Sequence, residues 1–421
     1  MVNNGKSKER LTGEKVPEIR LIKQSNLNDI QNKMKILIVG TGGTFFSTIG
    51  ESGALSHEEE SQLYSKSISE ARLNSAVAVL QKECDVYELS LLSKDSSIIN
   101  PNDIKHLAKS LYDNYDSFDG FVIITGTDTM QQIAPLLATF LPNFGKPAVI
   151  TGAQKALVSL ASDALPNLER AFFIIGTKEP DNINLFSFPG FSVVFSEEHM
   201  SPREVYKISD NRDKGFATKT RHGILSEVGN RFYKFSKEIV KGNAFNQQQL
   251  IFNNGLVLEG ILPLQCAMQI PTETYMNILE STKPKGIYLD GYGAGNINYS
   301  NDDKDPYNLK PFLAEALKRE IPVLIGSHVA EGIATSYEYD AGKLPMMYAG
   351  TIPTLNLTPN AAMCKLAYLL SAGVEFKDIG VQMCENLWGE IAGELIGEQL
   401  KDIREIMRKR RDMIIEMKDK K

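Results

Sequence analysis

The sequence is poor in the residues that build metal centres and disulfide frameworks. Its 421 residues include four cysteines and five histidines, and no two cysteines form a C-x-x-C pair. The histidines do not cluster with the cysteines along the chain, so no zinc site is expected. Widely spaced thiols are typical of free cysteines in a reducing compartment, and we therefore expect a cytoplasmic protein with neither a metal nor another cofactor.

A basic excess and a long apolar run are also missing. The formal net charge is -6, which argues against a nucleic-acid partner because no surplus of cations is present to neutralise phosphates. No apolar run approaches the ~18 residues that cross a membrane. Residues 1–33 are polar and lack the apolar centre of a secretory signal. These absences exclude most classes except a globular enzyme or binding protein, with two or three domains at ~150 residues each.

Short apolar runs alternate with segments of helical character, and this alternation predicts an α/β fold. We expect a larger N-terminal domain with a mainly parallel sheet flanked by helices, and a smaller C-terminal α/β domain of flavodoxin-like type. Predicted strands lie at residues 35–39, 86–91, 120–125, 147–151, 191–195, 256–258, 286–290 and 321–326. Predicted helices lie at residues 104–112, 130–140, 165–175 and 311–318.

The composition also suggests domain boundaries. The alternation lapses between about residues 224 and 254, where we predict a hairpin followed by a polar, breaker-rich linker. The predicted order is a loosely ordered arm at 1–33, a first domain at 34–242, a linker at 243–255, a second domain at 256–373 and a helical extension at 374–421. Within that extension, residues 394–421 predict one long amphipathic helix whose basic run, 408–411, faces solvent near the helix end. Its apolar face comprises Leu395, Leu400, Ile403, Ile406, Met407, Ile414 and Met417.

The sequence KILIVGTGGT at residues 35–44 is the first candidate for chemistry. A continuous apolar run that ends in glycine indicates a buried parallel strand, and ligands of open α/β sheets bind at that end of the strand. Thr44 is therefore a candidate nucleophile. A plain turn without chemistry fits the same residues, and a dinucleotide-binding loop fits less well because Phe45 replaces the third glycine.

A second turn, GTDT at residues 126–129, follows the next buried strand of this kind. Its Thr or Asp could simply cap the following helix. Two hydroxyl-bearing turns at the carboxyl ends of one parallel sheet would, however, converge on one crevice. The sequence suggests no Ser–His–carboxylate triad, so a lysine with a lowered pKa could serve as the base, positioned by Asp128.

Together the two turns resemble the signature segments of the bacterial-type L-asparaginase and glutaminase amidohydrolases, whose relatives include the asparaginase-like subunit of the archaeal tRNA-dependent amidotransferase. The resemblance covers about residues 34–373. Further similar segments lie at residues 95–97 with Pro101 after them, at 151–154, 162–163, 167–168, 203–207, 327–332 and 349–351.

The resemblance implies a mechanism and a site. Thr44 would attack a side-chain amide and form an acyl-enzyme, while Thr127, Asp128 and Lys207 would handle protons. On position alone, Lys207 would be taken for a surface lysine. The implied substrate-binding residues are Ser96, Ser97, Asp128 and Glu338, the last contributed by a neighbouring subunit of a homodimer or homotetramer.

Three positions depart from the family pattern. The loop at residues 45–57 contains no tyrosine, Thr125 stands where histidine is common, and Ile98 stands where an acid or asparagine is common. Two alternatives therefore stay open beside an amidohydrolase of asparagine or a related small amide. One is an ammonia-donating amidotransferase subunit, for which residues 1–33 look too short to form the extra N-terminal domain. The other is a catalytically weakened amino-acid-binding protein.

Overall fold

The computed structural model describes residues 18–24, 33–43, 48–49, 55–56, 84–157, 159, 161–179, 182–229, 232–234, 249–256 and 258–419. Thr44, most of the loop after it, most of the predicted N-terminal arm and residues 243–248 of the predicted linker lie outside these residues. None of the helices in the described part of the chain is long and apolar enough to cross a membrane.

Strands and helices follow one another through both halves of the described chain. The strands are β1 (Arg20–Lys23), β2 (Met34–Gly40), β3 (Thr48–Ile49), β4 (Leu55–Ser56), β5 (Cys84–Ser90), β6 (Gly120–Ile124), β7 (Pro147–Thr151), β8 (Lys178–Glu179), β9 (Asn182–Phe186), β10 (Gly190–Phe195), β11 (Glu198–Met200), β12 (Val205–Lys207), β13 (Phe216–Thr218), β14 (Ile224–Val228), β15 (Phe232–Lys234), β16 (Ile261–Gln265), β17 (Gly286–Gly291), β18 (Val323–Ser327) and β19 (Ile352–Pro353). The helices are α1 (Pro101–Asp113), α2 (Met130–Phe140), α3 (Ala164–Gly176), α4 (Thr272–Thr282), α5 (Lys310–Lys318), α6 (Asp340–Tyr348), α7 (Pro359–Ser371), α8 (Phe376–Cys384), α9 (Gly393–Ile396) and α10 (Glu398–Asp419).

The first domain is built on a sheet in the order β1-β5-β2-β6-β7-β10-β11-β14-β15. The neighbours from β5 to β10 are parallel, and the strands beyond them on both sides pair antiparallel. Strand β2 lies inside the parallel part, and its apolar residues are buried on both faces. Leu37 and Val39 pack with α1 and α2, whereas Ile36 and Ile38 pack with α3. This two-sided burial explains why β2 is a continuous apolar run rather than an alternating one.

The second domain carries a smaller parallel sheet in the sequential order β16-β17-β18-β19. Helices α4 and α5 cover one face, where Leu279, Phe312 and Leu313 are buried. Helices α7, α8 and α10 pack on the other face. Both sheets are mainly parallel with helices on each side, which confirms the predicted fold class.

Several predicted elements coincide with the observed ones, and others differ. The helix at 130–140 and the strand at 147–151 have the predicted bounds. Residues 20–23, which we assigned to a loosely ordered arm, instead form β1, because their backbone pairs antiparallel with the open edge of β5. The strand predicted at 256–258 is wrong. Leu256 and Leu258 pack on the first core without forming a strand, and the chain reverses at Gly260 (φ +92°) before β16 begins.

The C-terminal extension folds back onto the second domain. The predicted single helix is broken at Gly397 (φ +63°) into α9 and α10. Leu395 is half exposed, so it does not belong to the apolar face that we predicted. Leu400, Ile403 and Met407 of that face are buried against α7 and α8.

The basic run 408–411 does not lie wholly in solvent, which corrects the prediction for Arg410. This side chain is 3% exposed, and none of its guanidinium nitrogens has a hydrogen-bond partner among the described residues. The guanidinium lies 5.0 Å from the Phe376 ring, and it fits beside Gly350 and Gly380, where an added Cβ would come within 2.8 and 2.9 Å of its nitrogens. Burial lowers the pKa of Arg410 to about 10, so the charge persists at neutral pH. The ring face and the carbonyl end of α6, just before Gly350, offset only part of the desolvation cost.

We therefore expect Arg410→Met to stabilise the protein. Replacing buried charged groups by well-packed apolar side chains of similar volume is often neutral or stabilising, by up to about 4 kcal/mol. The measurement is the midpoint of thermal unfolding, with Arg408→Met, at an exposed position of the same helix, as the control that leaves the midpoint within experimental error. A lower midpoint for Arg410→Met would show that the charge has a favourable partner.

Candidate active site

The two glycine-rich turns meet at the carboxyl ends of the neighbouring strands β2 and β6. The backbone of Gly42 and Gly43 is left-handed (φ +98° and +95°), a conformation that favours glycine. A Cβ added to Gly43 would lie 2.4 Å from the Cα of Gly126, so the two backbones touch with no side chain between them. Thr41 fixes the first turn by donating its N–H to the carbonyl of Ile124 at 3.0 Å. Backbone atoms therefore meet at the strand ends where the sequence predicts a crevice.

A third loop packs on this junction and completes its floor. The side chain of Ser96 is buried and touches Gly126, where an added Cβ would lie 2.4 Å from the Ser96 Cβ and 2.6 Å from its Oγ. Thr129 donates its hydroxyl to the carbonyl of Ser96 at 3.0 Å. The loop is shaped locally by Asp95, whose Oδ1 accepts bonds from the N–H and the hydroxyl of Ser97.

Lys207 brings its side-chain amine to the second turn. Its Nζ donates to the Thr127 Oγ1 at 2.9 Å and to the Asp128 Oδ1 at 2.6 Å. The side chain of Lys207 is 15% exposed, whereas that of Asp128 is 64% exposed. Solvent therefore reaches the carboxylate, while the lysine and the nearly buried Thr127 hydroxyl lie deeper. A hydroxyl within hydrogen-bond reach of an amine that is oriented by a carboxylate is the geometry of a proton-transfer group.

A short hairpin, β12 paired with β13, holds the lysine in place. The backbone N–H of Lys207 donates to the Oε1 of Gln131 on α2 at 2.9 Å. Gln131 lies in the first turn of α2, four residues after Thr127, so the start of this helix anchors the strand of the lysine close to the Thr127 hydroxyl.

Gln154 is a further neighbour of Thr127. Its Oε1 lies 3.4 Å from the Thr127 Oγ1, and its Nε2 donates to the carbonyl of Ser209 at 2.9 Å. Its side chain also packs against Gly215, where a Cβ would come within 2.4 Å of the Nε2. Gln154 thus links the second turn to the hairpin that carries Lys207.

The described residues bring together some of the site residues named from sequence. Thr127, Asp128 and Lys207 form one hydrogen-bonded group, and Ser96 touches the adjoining Gly126. The described contacts of Ser97 stay within its own loop, and those of the exposed Glu338 are with Gln399 of α10, whose Nε2 donates to its Oε1 at 3.3 Å. Glu338 therefore has no contact with the lysine group within the described chain. Thr44 lies outside the described residues.

Sequence reasoning gave no role to Gln131 or Gln154. The position of Gln131, four residues after Thr127 at the start of a predicted helix, could have placed it near the second turn, but nothing in the sequence shows that a backbone N–H 76 residues later will reach it. In the described part of the chain, no three His, Cys, Asp or Glu side chains converge as a metal site would need. All four cysteines are buried and free.

This fold and this site define an α/β protein with a threonine–lysine–carboxylate group at parallel strand ends, and known proteins share the arrangement of domains. A family model described as "Asparaginase, N-terminal" matches residues 35–240, and "Glutaminase/Asparaginase C-terminal domain" matches residues 262–383. The chain belongs to this asparaginase family, and the membership supports an amidohydrolase activity.

Individual relatives agree with the family match. An L-asparaginase of Thermococcus kodakarensis is 27% identical over 86% of this chain and all of its own length. The solved structure of the thermostable L-asparaginase from that organism covers the same shares, with a TM-score of 0.70 and 25% identity. L-asparaginase 1 of Escherichia coli K12 is 29% identical over 70% of this chain and 82% of its own. A glutamyl-tRNA(Gln) amidotransferase subunit of Pyrococcus abyssi is 24% identical over 85% of this chain and 76% of its own.

The contact between Ser96 and Gly126 leads to a prediction about stability. Gly126→Ala places a methyl group inside contact distance of the Ser96 side chain, and such overpacking typically costs about 1–3 kcal/mol. We expect a lower free energy of unfolding in denaturant titration. Gly255→Ala is the matched control, because none of the described atoms lies within 4 Å of a Cβ at Gly255. Equal stability of the two variants would contradict the tight junction of the loops.

Proposed function

We propose that this chain hydrolyses the side-chain amide of asparagine, or of a related small amide, to the acid and ammonia. The observation that carries the proposal is the contact of the Lys207 Nζ with the Thr127 hydroxyl and the Asp128 carboxylate at parallel strand ends, in a chain of the asparaginase family. Relatives named L-asparaginase support the choice of substrate class. We place the activity in the cytoplasm, as expected from the sequence.

In the first half of the proposed reaction, Thr44 is the nucleophile. Its Oγ forms a bond to the amide carbon as its proton passes to the group of Thr127 and Lys207. The tetrahedral oxyanion is stabilised by backbone N–H groups of the glycine turns, a contribution of about 3 kcal/mol for one such donor. The C–N bond then breaks, Lys207 returns the proton to the leaving nitrogen, and ammonia departs.

In the second half, water replaces the threonine. A water molecule loses a proton to the lysine group and attacks the ester carbon, after which the bond from that carbon to the Thr44 Oγ breaks and the hydroxyl regains its proton. The acid is released and the enzyme returns to its starting state. The net reaction consumes one water and forms one ammonia, and no cofactor is needed.

The substrate would be held through its α-amino and α-carboxylate groups. The exposed carboxylate of Asp128 suits an ammonium group, and the hydroxyls of Ser96 and Ser97 suit a carboxylate. The loop at residues 45–57, without the family's tyrosine, gives the lid less to contribute to acylation. We therefore propose an enzyme that is slower or differently selective among amides.

A second candidate is an ammonia-donating role toward a partner, as in a tRNA-dependent amidotransferase. The similarity to the Pyrococcus abyssi protein favours it. A catalytically weakened amino-acid-binding protein would keep the fold but release no ammonia from any amide.

An ammonia-release assay of the purified protein separates these candidates. We expect turnover of at least one of asparagine, glutamine, D-asparagine and small peptide amides without any partner. Thr44→Ala, Thr127→Ala and Lys207→Ala should each lose nearly all of it. The double variant of Thr44 and Lys207 should be barely worse than a single one, because groups that act as a unit are not additive. No turnover together with calorimetric binding of aspartate would favour the binding protein, and full activity of Thr44→Ala would refute the acyl-enzyme.

We also propose that the active form is a homodimer or a dimer of dimers, with Glu338 completing the site of a neighbouring subunit. Glu338→Ala should then raise KM for the amide, although this side chain has no described contact with Lys207 in its own chain. Light scattering should give a dimeric or tetrameric mass. A monomer with full activity would contradict this assembly.

A further inference from the structure

A buried carboxylate lies at the base of the hairpin that carries Lys207. Glu204 is 1% exposed, and its two oxygens take part in four hydrogen bonds. The Oε2 accepts from the hydroxyl of Thr220 at 2.6 Å and from its N–H at 3.2 Å. The Oε1 lies 2.8 Å from the Nδ1 of His222 and accepts from the Nδ2 of Asn356 at 2.8 Å. A buried carboxylate is stable only when it is bonded in this way.

Asn356 brings the second domain into this arrangement. It is fully buried, and its Nδ2 also donates to the carbonyl of Glu390 at 2.8 Å, while its Oδ1 accepts from the N–H of Ala392 at 3.0 Å. Two residues later, Thr358 donates its N–H and its hydroxyl to the carbonyl of Arg203, each at 3.3 Å. The two residues before β12 are therefore bonded to the second domain, by side chain and by backbone.

The far end of this chain of bonds lies in the C-terminal extension and is itself fixed. Glu390 forms a buried ion pair with Lys365 of α7 at 2.6 Å, and Lys365 also donates to the carbonyls of Met383 and Glu385. Burial raises the pKa of Glu390, but the charges of Lys365 and Arg203 outweigh it, so the pKa is lowered and the carboxylate stays ionised. Glu390 and Ala392 lie beyond the residues that match the asparaginase family models.

Glu204 lies three residues before Lys207, and the hairpin connects the two over this short distance. The N–H of Lys219 donates to the carbonyl of Glu204 at 3.1 Å, next to the pairing of Val205 with Thr218. Lys207 lies two residues after Val205 on the same strand. Glu204 thus fixes one end of a three-residue strand, while Gln131 bonds the other end.

We propose that Glu204 and Asn356 are positioning residues for Lys207, through which the second domain and the C-terminal extension set where the lysine amine lies. Where activity is the readout, the inference rests on the function proposed above. Neither side chain has a described contact with Thr127 or Asp128, so each acts through the hairpin. A shift of about 1 Å in a catalytic group from a distant change can cost about 10²-fold in rate.

The test compares two buried asparagines of the second domain. Asn356→Ala removes the bond to Glu204. Asn308→Ala is the matched control, because Asn308 is 2% exposed, makes four hydrogen bonds with Ser300, Asp302 and Lys310, and has no described contact with the hairpin. Two readouts are taken on the full chain. The first is kcat and KM for ammonia release, and the second is the rate at which acetic anhydride labels Lys207, relative to the exposed Lys318, by peptide mass spectrometry.

We expect Asn356→Ala to lower kcat by about 10- to 100-fold with KM nearly unchanged. In this variant, acetic anhydride should label Lys207 faster than in the wild type. Asn308→Ala should match wild type in both readouts even if it unfolds at a lower temperature. Equal effects of the two variants on kcat and on labelling would overturn the proposal.

Glu204→Gln tests the same proposal if Asn356→Ala does not fold. This change keeps the volume but replaces one acceptor by a donor that faces other donors, so labelling of Lys207 should again rise. Unchanged labelling and unchanged kcat would overturn the proposal. If wild-type protein releases no ammonia, the proposed function fails, while the labelling comparison still decides whether Glu204 and Asn356 position Lys207.

Discussion

The active-site region depends on the contact between two backbones at Gly43 and Gly126. Parallel pairing of β2 with β6 brings the two turns to the same edge of the sheet, and the lack of side chains lets them touch. The buried Ser96 packs on the same junction, so three loops share one floor. Because the loops are joined by contact rather than by long polar side chains, their relative placement follows from the sheet itself. Side chains that these loops carry are therefore positioned by the sheet.

Lys207 reaches this floor from a hairpin that is held by both domains. Gln131 of α2 fixes the strand from the first domain, and the bonds of Glu204 and Asn356 fix it from the second. The placement of the lysine therefore depends on how the two domains pack. The buried pair of Lys365 and Glu390 costs desolvation, and its surrounding hydrogen bonds make it a rigid end point rather than a large source of stability.

The sequence was sufficient to predict the elements whose pattern is local. Apolar runs that end in glycine located β2, β6 and β7, and periodicity located α2 with its observed bounds. Strand β1 was missed because four residues of an otherwise polar arm give a weak pattern, and it forms only because β5 offers an open edge. The bond between Asn356 and Glu204 spans 152 residues, so no spacing rule reveals it. Arg410 was misplaced for a related reason: its neighbours in sequence are also cations, and only the packing of α10 shows that this one is buried.

The proposed mechanism makes Thr44 the nucleophile and assigns proton transfer to Thr127 and Lys207. The most direct measurement is to quench the enzyme with acid during turnover of asparagine and to map the acylated peptide by mass spectrometry. We expect an aspartyl ester on the peptide that contains Thr44, and none on the peptide that contains Thr127. An ester on Thr127, or ammonia release without any ester on the protein, would contradict this mechanism.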